Sequence, residues 1–134
     1  ANLDGLGYEL RRLYEIYQAC TGVTLKELRV GGGGSKSDVA VQIAADIFNL
    51  PAARMATHEI CGLGAAIDAA VGTGMFSSFD EAVASMVKKG RVFEPDPASH
   101  RVYEDLYQGA YLKTYGALEP LYKKIAAATG YPPE

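Results

Sequence analysis

A chain of 134 residues that is 49% apolar is long enough to bury a core without disulfides or a structural metal, and too apolar to stay disordered. Its 13 basic and 16 acidic residues leave a net charge of −3, which argues against nucleic acid or an anionic membrane surface as a partner. Two cysteines, Cys20 and Cys61, make no disulfide framework, and no secretory signal opens the sequence, so a reducing, cytoplasmic setting is expected.

Leu3, Leu6, Leu10, Leu13 and Tyr17 recur at helical spacing, with Arg11, Arg12 and Glu15 opposite. They predict an amphipathic helix that starts without an N-cap and stops near Thr21-Gly22. Leu25 to Val30 reads as a short strand, followed by four glycines, Gly31 to Gly34. A helix is expected from Ser35 to Phe48, broken by Asn49-Leu50-Pro51, with a second short strand over 53–56. The next helix, His58 to Val71, is rich in glycine and alanine, which predicts close approach to a neighbour. From Ile60 to Phe79 the only charge is Asp68, but Gly62, Gly64, Gly72 and Gly74 make a buried helix and turn a better reading than a membrane span.

Ser78-Phe79-Asp80-Glu81 spells a capping box for a helix running to about Lys89. Residues 90–94 are expected to be extended or irregular. Asp96-Pro97 then supplies a cap and a first-turn proline for a long helix, kinked at Pro120, whose stripe includes Tyr103, Tyr107, Tyr111, Leu121 and Ile125. Most of the nine tyrosines are expected in the core. The tail, residues 131–134, is expected to fray. No internal repeat or domain boundary is evident, and the strands are too few to close a sheet unaided.

The segment that carries chemistry is Gly31-Gly32-Gly33-Gly34-Ser35-Lys36-Ser37-Asp38 between strand and helix. Glycine turns tightly and lets a flat ligand lie against the backbone, and helix N-termini present free N–H groups to anions. The spelling excludes a Walker loop, because Ser35 stands between glycine and lysine, and it excludes the dinucleotide fingerprint, which needs a third glycine further on. A flexible linker is the alternative. Ser35 and Asp38 have capping-box spacing, and Asp38 would repel a close phosphate, so the loop suits a nucleoside better than a triphosphate.

These residues resemble the C-terminal half of the FGGY carbohydrate kinases. The resemblance rests on Leu28 to Asp38, Gln42-Ile43, Ala45-Asp46 and Pro51. It is extended by Glu59 with Leu63-Gly64-Ala65-Ala66, by Leu3-Asp4-Gly5 with Tyr8-Glu9-Leu10-Arg11, and by Pro95-Asp96-Pro97 with Tyr103 and Tyr107. Val39-Ala40 and Gly62 depart from the family's usual Leu-Trp and Ala. The resemblance implies a helix-rich α/β chain with few short strands, part of an actin-like, ribonuclease-H-like ATPase lobe spanning 1–134. It implies ATP with Mg2+ as cofactors, and places Gly33, Gly34 and Ser37 against the adenosine, with Gly32 shaping the turn. The family's catalytic Asp and N-terminal phosphate loop belong to upstream portions, so the chain is expected to be inactive alone, its sugar (a ketopentose such as xylulose) reached through the other lobe. A non-catalytic nucleotide-binding or interaction module is the rival reading, with self-association a way to cover the first helix.

Other residues carry weaker signals. His58 and Cys61 have ligand spacing, but Cys20 and His100 are too remote in sequence to make a zinc site convincing. Cys61 reads as a small buried residue. Lys36 reads as a solvated lysine, Glu59 as a favourable charge at a helix start, and Lys88, Lys89 and Arg91 as solvated charges.

Overall fold

The structure, a computed structural model, describes residues 2–131; Ala1 and most of the expected tail, 132–134, lie outside the described residues. The chain forms two compact units, Ala1–His100 and Arg101–Glu134.

In the first unit, α1 (Asn2–Thr21) ends at Gly22, which takes φ 72 and donates its N–H to the Gln18 carbonyl at 2.7 Å. This left-handed stop is the one glycine permits without a Cβ penalty. The helix packs on α2 (Asp38–Phe48) where Gly7 meets Ile47: a Cβ on Gly7 would sit 2.5 Å from the Ile47 Cδ1. The leucine stripe stays largely exposed. Leu6 is 65% and Leu10 60% exposed, and only Gly7 and Tyr8 of the helix are buried.

Three short strands make one sheet in the order β1-β2-β3: β1 (Leu28–Val30), β2 (Ala52–Met55) and β3 (Lys89–Phe93). The first pair is parallel, with Leu28 opposite Ala52, and the second antiparallel, with Ala52 opposite Phe93. A register shift falls between Ala53 and Met55, and there Gly90 is pressed against the strand, since a Cβ would lie 3.1 Å from the Arg54 carbonyl oxygen. Val41 and Ala45 of α2 cover the sheet at Ala52 and Phe93, with Leu28 and Val30 at the margin. The helix ends at Asn49 in the left-handed region, φ 52, as the Asn-Leu-Pro break requires.

The Gln42 and Asp46 of the family-like motif are structural here. Asp46, 4% exposed, accepts hydrogen bonds from Gln42 Nε2 at 2.9 Å and from the Asp96 N–H at 2.8 Å. Gln42 Nε2 also reaches the Glu94 carbonyl at 2.8 Å, and His100 Nδ1 meets the Asp46 carbonyl at 2.8 Å. One buried carboxylate thus ties the far side of α2 to the turn that follows β3.

Beyond β2, α3 (Ile60–Gly72) and α4 (Phe79–Met86) pack on each other. Only Ile67 and Ala70 of α3 are buried, and a Cβ at Gly64 would meet nothing within 4 Å, so the close approach expected from its small residues is not made among the described residues. Cys61 is exposed, contrary to the expectation of burial, because it shares that outward face. The Ser78 hydroxyl caps α4 by accepting the Glu81 N–H, and Glu81 reaches back to the N–H and hydroxyl of Ser77, one residue before the expected partner.

The Asp96 carboxylate caps α5 (Pro97–Leu106) by accepting the Ser99 N–H at 2.9 Å. In the second unit the expected single helix is interrupted. A π-helical turn, Tyr107–Tyr111, separates α5 from α6 (Leu112–Thr129), and Pro120 sits inside α6 without breaking it. The interruption stacks Tyr107 on Tyr111, centroids 5.8 Å apart. Tyr8 and Tyr107 are the buried members of the nine tyrosines; Tyr14, Tyr103 and Tyr111 are half-buried, and Tyr17, Tyr115, Tyr122 and Tyr131 are exposed.

Candidate functional site

The glycine segment joins β1 to α2 at one end of the sheet. Gly32 makes the turn at φ 81, ψ −179, a conformation that a side chain would strain. Gly33 to Lys36 then form a single 3-10 turn, in which Ser35 donates its N–H to the Gly32 carbonyl and Ser37 to that of Gly34, each at 3.2 Å.

The capping residue differs from the one expected. Ser37, not Ser35, is the N-cap of α2, its hydroxyl accepting the Ala40 N–H at 3.3 Å. Ser35 is turned inward at 1% exposure. Its hydroxyl donates to the Gly32 carbonyl at 2.7 Å and meets His58 Nδ1 at 3.1 Å. Asp38 does not cap the turn either. Its carboxylate is held by Arg54 from β2 and, at 2.6 Å, by Arg91 from β3. Both guanidinium groups lie over the Phe93 ring, 5.1 and 4.5 Å from its centroid. The hydrogen bond from Arg54, then the nearby charges of Arg54 and Arg91, holds the Asp38 carboxyl below the usual aspartate range. The repulsion expected between Asp38 and a phosphate is therefore offset by two cations, so Arg91 is no simple solvated charge. Lys89 is likewise paired, with Glu27 at 2.7 Å.

The four candidate residues separate by what the chain itself asks of them. Gly32 is required by its backbone conformation. Gly33 and Gly34 are exposed, take no left-handed conformation, and a Cβ on either would meet nothing within 4 Å. Ser37 is exposed at the helix start. Gly31, just before them, is required by packing, since a Cβ would lie 2.4 Å from Ile60 Cγ2. An apolar groove of about 200 Å³ runs beside the loop, walled by Gly34 and Ser35 on one side and Leu3, Leu6 and Leu10 of α1 on the other. Gly33 and Ser37 lie outside it.

His58, Arg54 and Arg91 are the residues that the sequence did not reveal as part of this site. Each acts through a fold contact, and spacing along the chain carries no signal for that. His58 and Cys61 gather no metal-binding set: no cluster of three His, Cys, Asp or Glu able to hold a metal ion occurs among the described residues. Glu59 begins α3 without a side-chain cap, and Lys36 is exposed. Among the described residues no helix is long and apolar enough to cross a membrane.

Comparison with known proteins places this geometry. The chain is 36% identical over 107 residues to a xylulose kinase of Staphylococcus epidermidis, covering 80% of this chain and 21% of that protein. It is 37% identical over 109 residues to a glycerol kinase of Xanthomonas campestris, covering 81% and 21%. Its fold matches the crystal structure of xylulose kinase from Rhodospirillum rubrum with a TM-score of 0.72 at 27% identity, over 90% of this chain and 24% of that one. The chain thus spans about a fifth of the length of the curated relatives it matches. The helix-rich α/β architecture with its three-stranded sheet is part of the actin-like lobe that the sequence resemblance implies. The FGGY family of carbohydrate kinases, C-terminal domain, matches residues 1–73, a stretch that runs from α1 through the glycine turn and α2 to the end of α3. With its turn, its Gln42–Asp46 tie and its sheet all inside or beside that stretch, the chain belongs to the FGGY family of carbohydrate kinases, in their C-terminal domain.

Proposed function

We propose that this chain is the adenosine-binding C-terminal portion of an ATP-dependent kinase that transfers the γ-phosphate of ATP to a sugar hydroxyl, in the cytoplasm. In this reading Gly33, Gly34 and Ser37 lie against the adenosine, and Gly32 shapes the turn behind them. One observation carries it: Gly33 and Gly34 are glycines that the fold does not need, exposed and with open space where a Cβ would stand. A flat ligand from outside the chain is the group such a surface accommodates. A linker would not be built into a 3-10 turn pinned at both ends.

These residues do not fit a magnesium site. Asp38, the carboxylate beside the loop, is engaged by Arg54 and Arg91, so Mg2+ is assigned to other parts of the kinase. Phosphoryl transfer depends on positioning and charge stabilisation assembled from several elements. The base that takes the hydroxyl proton and the loop that holds the phosphates are assigned to the portions upstream, and this chain alone does not turn over. The acceptor is proposed to be a ketopentose such as xylulose, supported by the likeness to xylulose kinases in sequence and fold. Assay of the full-length kinase against xylulose, glycerol and gluconate tests that choice.

The loop assignment is tested by Gly33→Val in the full-length kinase. Open space at Gly33 lets the side chain fit the free protein, so melting should change little. The ATP KM should rise about tenfold, equivalent to about 1.4 kcal/mol, while the sugar KM stays nearly constant. An unchanged ATP KM in a folded variant removes the loop from the nucleotide site.

A further inference from the structure

Ser35 has one hydroxyl proton, and its nearest acceptor is the Gly32 carbonyl at 2.7 Å, which can only accept. With that proton committed, the 3.1 Å approach of His58 Nδ1 to the same oxygen needs a proton on the ring nitrogen. The backbone of His58 works on the same turn: its carbonyl accepts the Gly32 N–H at 3.1 Å and the Ile60 N–H at 3.0 Å. Both polar groups of the Gly32 backbone are thus fixed, the N–H by His58 directly and the C=O through Ser35. Two residues on, Ile60 fills the space left by the missing side chain of Gly31. The corner between β2 and α3, residues 58–60, therefore clasps the buried side of the loop and leaves Gly33, Gly34 and Ser37 outward.

We infer that His58 is a positioning residue for nucleotide binding. Its Nδ1–H holds the Ser35 hydroxyl, which sets the 3-10 turn Gly33–Lys36 in the shape that presents Gly33 and Gly34 to the ligand. This rests on the reading that the loop faces adenosine. The expected consequence is pre-organisation. Without the donor the turn samples other shapes, and binding must select the right one. Catalysis itself is untouched, because His58 contacts the loop from behind, on the side of Ser35.

Three variants of the full-length kinase test this. His58→Asn keeps an N–H donor at nearly the position of Nδ1; His58→Leu keeps similar bulk without a donor; Ser35→Ala removes the acceptor. Expected for His58→Leu is an ATP KM raised about fivefold, with kcat and sugar KM within about twofold. Amide hydrogen exchange over residues 32–37 should quicken about tenfold while α2 stays protected. His58→Asn should lie close to wild type in both readouts. Combining Ser35→Ala with His58→Leu should do less than the sum of the two single effects, since both remove the His58–Ser35 bond and only Ser35→Ala also removes the bond to the Gly32 carbonyl. If His58→Leu leaves loop exchange and ATP KM unchanged, or if Asn is as harmful as Leu, the assignment is overturned. Gly33→Val separates the two ideas. If it raises the ATP KM and His58→Leu does not, the clasp idea fails alone. If neither affects the ATP KM while His58→Leu still speeds loop exchange, the nucleotide reading has failed and takes the positioning role with it.

Discussion

Asp38 shows how one residue near the site is decided by its neighbours. At the first position of α2 a carboxylate is favoured by the helix dipole, yet its partners are Arg54 and Arg91, one from each of two adjacent strands. The Asp38 carboxyl sits below its usual range, chiefly through the Arg54 hydrogen bond. A depressed folded value means that the stabilisation is full above the ordinary aspartate range and is lost as pH falls through the lower, folded value. Asp38→Asn should therefore lower Tm by about one to two degrees at neutral pH, a modest amount because the pair is solvated. The difference from wild type should stay level above the ordinary aspartate range and close as pH falls below it, through the lower folded value. A pH-independent difference across that range would show that the charge is not responsible.

At the scale of elements, the tie between α2 and the turn after β3 is the joint on which the loop's helix depends. Asp46 is buried and accepts the Asp96 N–H, and the same Asp96 caps α5. Removing the acceptor breaks the hydrogen bonds that this buried carboxylate takes from Gln42 and Asp96, a change costing about 1–3 kcal/mol. Asp46→Ala should thus lower unfolding stability by about 2 kcal/mol in urea melts, and Asp46→Asn, which keeps one oxygen, by well under that. Equal losses in the two variants would point to charge rather than hydrogen bonding. The π turn at Tyr107–Tyr111 belongs to this scale too. Pro120, where sequence reasoning expects a kink, lies within α6, and the helix is interrupted earlier, where two tyrosines stack.

For the whole molecule the telling feature is the apolar surface of α1. Leu3, Leu6, Leu10, Leu13, Ile16 and Tyr17 are all exposed, a larger cluster than a soluble surface usually leaves uncovered. In isolation the chain should self-associate, with an average mass in light scattering that rises across the micromolar range. Leu6→Lys together with Leu10→Lys should return it to monomer. A wild-type chain that stays monomeric at high concentration would count against this. The isolated chain should also produce no ADP above blank with any sugar tested, since it carries about a fifth of the length of its relatives. Turnover that persists through repurification would reverse that expectation and mark a complete small enzyme.

The sequence by itself determined the helices of the first unit, the first two short strands and the glycine turn, because each is marked locally, whereas β3 was legible only as extended or irregular chain. Leucine spacing marks α1, Gly22 and Asn49 mark helix ends, and Ser78 with Glu81 marks the start of α4. It also determined the family, because the motifs from Leu28 to Ala66 occur in order at their expected spacing. Tertiary structure decided which serine caps α2. Ser35 and Ser37 both precede the helix and either can serve as an N-cap. Ser35 is drawn inward by His58, 23 residues away, and the cap passes to Ser37. The same holds for Gly31 against Ile60 and for Arg91 across Asp38. Capping and periodicity act within one turn and are written in adjacent letters, whereas these contacts exist only once the three strands lie side by side. Folding alone brings such residues together, and it is folding that separates the glycines required by the chain from those with open space where a Cβ would stand.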